Sequence, residues 1–212
     1  KGENQRGIIG CFPMYVPEEI IHAAGLLPAV VLGSEEPVTV AASNLTEKYK
    51  YPMIASGASA TEIWERGFKY VFEIYTADAK YMDGAIIFAA EQGAKTMAII
   101  NEDTIFARGV AKGAAEVAKQ KGIQLVFQEE YGRGATDFTP LLQKIKAINP
   151  DIVLGGTYLP DSVLITRQAK EVDLNPKMFA FSVGPALVDF QKSLGKDADY
   201  VFGASQWEPA LK

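Results

Sequence analysis

Asp137-Phe138-Thr139-Pro140-Leu141-Leu142-Gln143-Lys144-Ile145-Lys146-Ala147-Ile148-Asn149-Pro150-Asp151-Ile152-Val153-Leu154 contains a helix, its stop signal and the strand that follows. Phe138, Leu141, Leu142 and Ile145 recur at helical spacing behind Asp137, which is well placed as an N-cap. Asn149-Pro150-Asp151 then ends the helix, because the residue before a proline disfavours the helical region. Ile152-Val153-Leu154 is a short apolar run of the kind buried on both faces in a parallel sheet.

Working outward, the same alternation continues on both sides. Strand-like runs occur at Thr96–Ile100, Ile123–Phe127, Ile152–Leu154, Met178–Phe181 and Tyr200–Phe202. Ala107, Val110, Ala111, Ala114 and Ala118 mark another sheet-covering helix. Right-handed crossovers make this half a doubly wound sandwich of helix, sheet and helix. The first half repeats the pattern with shorter units: strands at Gly7–Cys11, Ala29–Leu32 and Met53–Ala55, helices at Pro17–Ala24 and Pro37–Tyr49. Pro17 and Pro37 each sit where proline is favoured, in a first helical turn. A lobe boundary is placed at Tyr75–Ala79, giving an α/β lobe over 1–77, a second over 78–203 and the start of a return segment at 204–212. Two such lobes create a cleft at the carboxyl ends of their strands, the usual place for a small ligand.

Composition removes several classes of function. Hydrophobic residues make up 48% of the 212 residues and charged residues 22%, which suits a folded globular chain. The net charge of −5 and the lack of any basic run longer than two residues argue against nucleic acid. Apolar stretches such as Leu26 to Leu32 fall far short of the roughly 20 residues that span a bilayer. One cysteine, Cys11, excludes an internal disulfide and any zinc or iron–sulfur site needing four cysteines from this chain. No charged n-region followed by an apolar h-region opens the sequence, so an export signal is either already removed or was never there, and no cofactor is expected.

Catalytic constellations are equally thin. The only histidine, His22, lies in the helical pattern Glu18-Glu19-Ile20-Ile21-His22-Ala23-Ala24, where an ordinary structural place accounts for it. Glycine clusters at 7–10, 56–59 and 132–134 lack the spacing of a phosphate loop. Ser56-Gly57-Ala58-Ser59-Ala60-Thr61 follows a strand and precedes a helical turn, so backbone N–H groups and hydroxyls there suit a carboxylate, or simply cap the helix. Phe106, Tyr158 and Trp207 are aromatic residues near predicted strand ends, and each alone is accounted for by packing.

From about Pro37 onward the sequence resembles the type I periplasmic binding proteins of the branched-chain amino acid, or amide and aromatic acid, ABC transporter class. The resemblance is carried by Tyr51-Pro52-Met53-Ile54-Ala55-Ser56-Gly57-Ala58-Ser59 and Glu65-Arg66-Gly67-Phe68-Lys69-Tyr70-Val71-Phe72. It is carried further by Thr136-Asp137-Phe138-Thr139-Pro140, Asn149-Pro150-Asp151, Gly155-Gly156-Thr157-Tyr158 and Arg167-Gln168-Ala169-Lys170. It implies two Rossmann-like or flavodoxin-like lobes with mainly parallel sheets, the first abbreviated. It also implies an extracytoplasmic, non-enzymatic solute-binding module serving ABC-type uptake, with a transporter permease as partner and closure near Tyr75–Ala79 and Gly203–Trp207. Gly57 and Ser59 would hold the ligand's carboxylate, Phe106 would pack on the ligand, and Thr157 or Tyr158 and Trp207 would line the cleft. Amino-acid binders of this class pair the ligand's ammonium with an acidic residue. Val183 stands at the matching position, which favours an aromatic or aliphatic acid without an α-ammonium, since an unpaired buried charge is costly.

A second resemblance concerns residues 7–33. Gly10-Cys11-Phe12-Pro13-Met14-Tyr15-Val16-Pro17 through Pro28 is similar to the start of the 2-hydroxyacyl-CoA dehydratase and benzoyl-CoA reductase subunit family. Without further cysteines the chain cannot hold that family's iron–sulfur cluster alone. A binding protein of this class is ordinarily longer, so one expectation is a chimera, natural or engineered, in which a dehydratase piece replaces part of lobe one. Two alternatives follow: a scaffold without ligand binding, or an acyl-CoA dehydratase-related enzyme subunit sharing a cluster through Cys11. A homodimer completed through exposed sheet edges is a further expectation.

Overall fold

A computed structural model describes residues 8–11, 27–30, 36–50, 52–55, 57–73 and 75–205. The helix expected at Pro17–Ala24, His22, the Cys11 side chain, Ser56 and Trp207 lie outside what it describes, as does most of the segment 204–212. The chain divides into two compact units, Lys1–Ala77 and Asp78–Lys212.

Unit one holds a parallel sheet ordered β2-β1-β3-β4, with β1 at Ile8–Cys11, β2 at Leu27–Val30, β3 at Met53–Ala55 and β4 at Val71–Glu73. Helix α1 spans Glu36–Tyr49, with Pro37 in its first turn, and a single turn α2 spans Thr61–Trp64. The sequence reading gave β4 no strand. Its burial alternates, Val71 inward and Phe72 outward at 53% exposed, which is the two-residue period of a sheet surface. Met53 and Val71 are buried together, with Ala42, Trp64 and Phe68 packed against them. A carboxylate ties this unit: Glu47 of α1 accepts the backbone N–H groups of Lys69 and Tyr70, the latter at 3.0 Å, just ahead of β4.

Unit two opens with a 3-10 turn at Asp78–Lys80, followed by α3 at Asp83–Glu91. Its five strands are β5 Thr96–Glu102, β6 Gln124–Tyr131, β7 Ile152–Gly156, β8 Met178–Phe181 and β9 Val201–Gly203. They form an all-parallel sheet ordered β6-β5-β7-β8-β9. Helices α4 Ile105–Gln120, α5 Thr139–Ile148, α6 Leu159–Glu171 and α7 Val188–Leu194 make the crossovers. Every residue of β7 is buried, as a central strand covered on both faces requires. The five α4 residues read as inward are all at most 1% exposed. Phe138, Leu142 and Ile145 of the α5 region pack with Ala98, Ile100, Val153, Ile165 and Phe181 in one apolar cluster.

The start of α5 differs by one residue from expectation. The N-cap position is Phe138, while Asp137 Oδ1 accepts the Thr139 N–H at 2.9 Å from one residue further out. The stop is as read: Asn149 takes a left-handed conformation (φ 54°) at the C-cap, and Pro150 cannot continue the helix. Asp151 then ties three strands at their amino ends. Its Oδ2 accepts the N–H groups of Lys95 at 2.7 Å and Thr96 at 3.1 Å, its own N–H goes to Thr96 Oγ1, and Lys177 Nζ lies 2.7 Å from its Oδ1. These contacts hold its carboxyl at a pKa of about 2, the Lys177 bond contributing most.

Candidate functional site

In unit one the candidate residues follow β3. Gly57 is exposed, while Ser59 is 2% exposed. Trp64 Nε1 donates to Ala58 O at 3.1 Å and so folds the turn back over this loop. The N-cap of α2 is Ala60, which makes no side-chain capping bond. The structural alternative for this stretch, a hydroxyl capping the helix start, is therefore not how α2 begins. Ser59 does have an interaction within the protein and is held in place.

In unit two the candidates gather at the carboxyl ends of β5, β7 and β8. Thr104 N-caps α4, its side chain accepting from Ala107 N at 3.3 Å, and Phe106, 8% exposed, lies in the first turn of that helix. The Phe106 ring lies 5.6 Å from that of Tyr158, tilted 44°, and the Tyr158 hydroxyl lies 3.5 Å from Thr104 Oγ1. Tyr158 is in turn the N-cap residue of α6.

Thr157 is fully buried. Its backbone N–H donates to Ser182 Oγ at 3.0 Å, the Ser182 hydroxyl returns a bond to Thr157 O at 3.0 Å, and Thr157 Oγ1 lies 2.7 Å from Ser162 Oγ. Ser162 Oγ also reaches the carbonyls of Tyr158 and Val183. Gly184 permits this closeness, since a Cβ there would fall 2.7 Å from Ser162 Cβ. These hydroxyls lock the loops after β7 and β8 together, so that Tyr158 and the half-buried Val183 are held by a satisfied polar network. Ser162 and Ser182 were not singled out in the sequence, where nothing separates a hydroxyl turned inward from one facing water.

A second polar group lies beside these rings. Tyr131 is paired with Glu102 across β6 and β5, and its hydroxyl donates to Asp161 Oδ2 at 3.2 Å. Asp161, in the first turn of α6, also accepts the Tyr158 backbone N–H, half of a capping box. Burial raises the Asp161 carboxyl above the usual range, and burial together with the Asp161 charge raises the Tyr131 phenol. Asp161 thus fixes the backbone from which Tyr158 projects. Among the described residues no group of three His, Cys, Asp or Glu side chains is arranged to hold a metal ion.

A protein-family model described as periplasmic binding protein matches residues 27–212. The chain belongs to this family. The match begins inside the stretch compared above with a dehydratase subunit, and neither it nor the relatives that follow supports that second resemblance or a spliced origin. A leucine-, isoleucine-, valine-, threonine- and alanine-binding protein of Pseudomonas aeruginosa is 30% identical over 140 residues, which is 66% of this chain and 38% of that protein. The chain thus spans well under half of this relative's length. Among solved structures, a leucine-binding protein from Thermotoga maritima superposes with a TM-score of 0.77 over 97% of this chain and 71% of its own, at 17% identity. A solute-binding protein of an ABC transporter from R. palustris, in complex with benzoate, gives a TM-score of 0.69 over 84% of this chain and 62% of its own, at 12% identity. These likenesses establish the α/β periplasmic binding protein fold, with its parallel sheets.

Proposed function

We propose that this periplasmic binding protein captures a small carboxylate-bearing ligand for ABC-type uptake, outside the cytoplasm and in partnership with a transporter permease, and that it binds its ligand without transforming it. The observation that carries the reading is the character of unit two's strand ends: two rings and the apolar Val183, set on a hydrogen-bonded frame whose hydroxyls are already engaged. Gly57 and Ser59 are the proposed partners of the carboxylate. Phe106, Tyr158 and Val183 are the proposed apolar contacts, Trp207 is retained with them, and Thr157 acts by holding Tyr158 in place.

With Val183 where a counter-charge would stand, the ligand preferred is an aromatic or aliphatic acid without an ammonium group. The relative named for leucine, isoleucine, valine, threonine and alanine supports the alternative of an amino acid, and the neighbour holding benzoate supports the acid. A thermal-shift screen against aromatic acids, aliphatic acids and branched-chain amino acids separates them, since a ligand at 100 times its Kd stabilises the native state by about 2.7 kcal/mol. Shifts with acids alone are expected. A shift with leucine or valine would overturn the Val183 argument, and no shift with any of them would overturn the carboxylate reading.

A further inference from the structure

Unit two presents a third ring that neither the sequence patterns nor the family likeness brought forward. Tyr81 follows the 3-10 turn Asp78–Lys80, and its ring and that of Phe106 meet nearly at right angles, with centroids 5.2 Å apart and planes at 80°. Phe106 in turn lies against Tyr158. Three rings borne by a turn, by α4 and by the start of α6 thus form one row, with Phe106 in the middle.

The turn that carries Tyr81 is seated on α4 with little freedom to slide. A Cβ on Gly109 would fall 1.8 Å from Asp78 Oδ2, and one on Gly113 would fall 2.0 Å from the carbonyl oxygen of Ala79. Asp78 is 1% exposed, and its Oδ1 takes the Ala79 N–H at 2.6 Å. The Tyr81 N–H closes the turn on Asp78 O at 3.1 Å. Tyr81 therefore meets Phe106 from a backbone fixed on the same helix that bears Phe106. A perpendicular pair sets the positive rim of one ring against the negative face of the other, so the two rings constrain each other's plane.

We propose that Tyr81 is a positioning residue for specificity: by fixing the plane of Phe106 it prepares the Phe106–Tyr158 surface to stack on an aromatic carboxylate, while aliphatic carboxylates gain little from it. The inference rests on the carboxylate-binding reading above. The effect assigned to Tyr81 is that of its ring, so Tyr81→Phe should discriminate the acids as the parent protein does while Tyr81→Leu should not.

Isothermal titration of the full chain with benzoate and with 3-methylbutanoate tests this, using the parent, Tyr81→Phe, Tyr81→Leu and, should the Leu variant melt early, Tyr81→Met. The expected result is that Tyr81→Leu or Tyr81→Met binds benzoate about tenfold more weakly, the upper end of what a lost aromatic pair accounts for. Affinity for 3-methylbutanoate should stay within about twofold, and Tyr81→Phe should match the parent for both ligands. Equal losses for both acids, unchanged benzoate affinity, or a Tyr81→Phe as weak as Tyr81→Leu would overturn the proposal and leave the carboxylate reading standing. A parent protein that binds only 3-methylbutanoate would do the same, whereas one that binds neither acid overturns the carboxylate reading and this inference with it.

Discussion

Each unit is tied by one carboxylate that accepts two successive backbone N–H groups, and the two ties are made differently. In unit two, Asp151 takes Lys95 and Thr96, which joins the start of β7 to the start of β5, and Lys177 brings the start of β8 to the same group. In unit one, Glu47 takes Lys69 and Tyr70, which joins a helix to the strand it covers. The first tie sets strand against strand where register is decided; the second sets the height of a helix over a sheet whose described strands are only three or four residues long. A carboxylate in a strand-start turn thus acts on the sheet itself, whereas one on a helix acts on the packing of a layer.

The heaviest break in this comparison comes from the apolar layer above the Asp151 tie. Leu142 is fully buried in the cluster of α5. Leu142→Ala is expected to cost unit two about 3 kcal/mol, within the usual range for a leucine truncated in a packed core. Chemical denaturation followed by a probe confined to unit two would show it, and a loss below about 1 kcal/mol would mean that the cluster refills the gap.

Next in size is the Asp151 tie. Asp151→Ala strands two backbone donors and a lysine, and is expected to cost about 2 kcal/mol at neutral pH. Because the folded carboxyl titrates at about 2, below its ordinary value, the stabilisation is fully present above about pH 4 and is lost as the pH falls toward 2. Denaturation midpoints between pH 2 and 6 should therefore fall less steeply at the acid end for Asp151→Asn than for the parent. Parallel curves would remove Asp151 from the account of acid sensitivity.

What the sequence made legible follows the same division. The helix and strand around Asn149-Pro150-Asp151 were readable because a long apolar period and a proline stop coincide within one stretch, each local in sequence. Strand β4 and the Glu47 tie were not, since β4 has three residues and its partner carboxylate lies over twenty positions earlier. The same limit applies at the candidate site. Phe106 and Tyr158 were named, but their contact, the inward turn of the Thr157 hydroxyl, and Tyr81 arise from tertiary packing that no spacing encodes. The one-residue shift at Asp137 has a local cause: its carboxylate satisfies Thr139 N from outside the helix, so the cap position passes to Phe138.

Ser59 sharpens the comparison from the side of binding, because it is a nearly buried hydroxyl in the unit with the lighter frame. Ser59→Ala is expected to weaken a carboxylate ligand by about 1.5 kcal/mol, the scale of one hydrogen bond to a charged group. Titration of the variant with the acid that stabilises the parent most would check it. Unchanged affinity would take Ser59 out of the proposed site and leave Gly57 and its neighbouring backbone to hold the carboxylate.

The smallest effect is expected at Glu47, and it asks whether the lighter tie acts only within its own unit. Glu47→Gln keeps an oxygen to accept the Lys69 and Tyr70 N–H groups but removes the charge that strengthens both bonds, so a loss of about 0.5–1 kcal/mol is expected. Native-state hydrogen exchange reads it directly: protection of the Lys69 and Tyr70 amides should fall several-fold, while that of Lys95 and Thr96 under Asp151 should stay as in the parent. The two ties would then be independent, each setting local opening in its own unit. Equal loss at all four amides would show instead that the units open as one cooperative body, and the contrast between a strand tie and a helix tie would hold for geometry but not for stability.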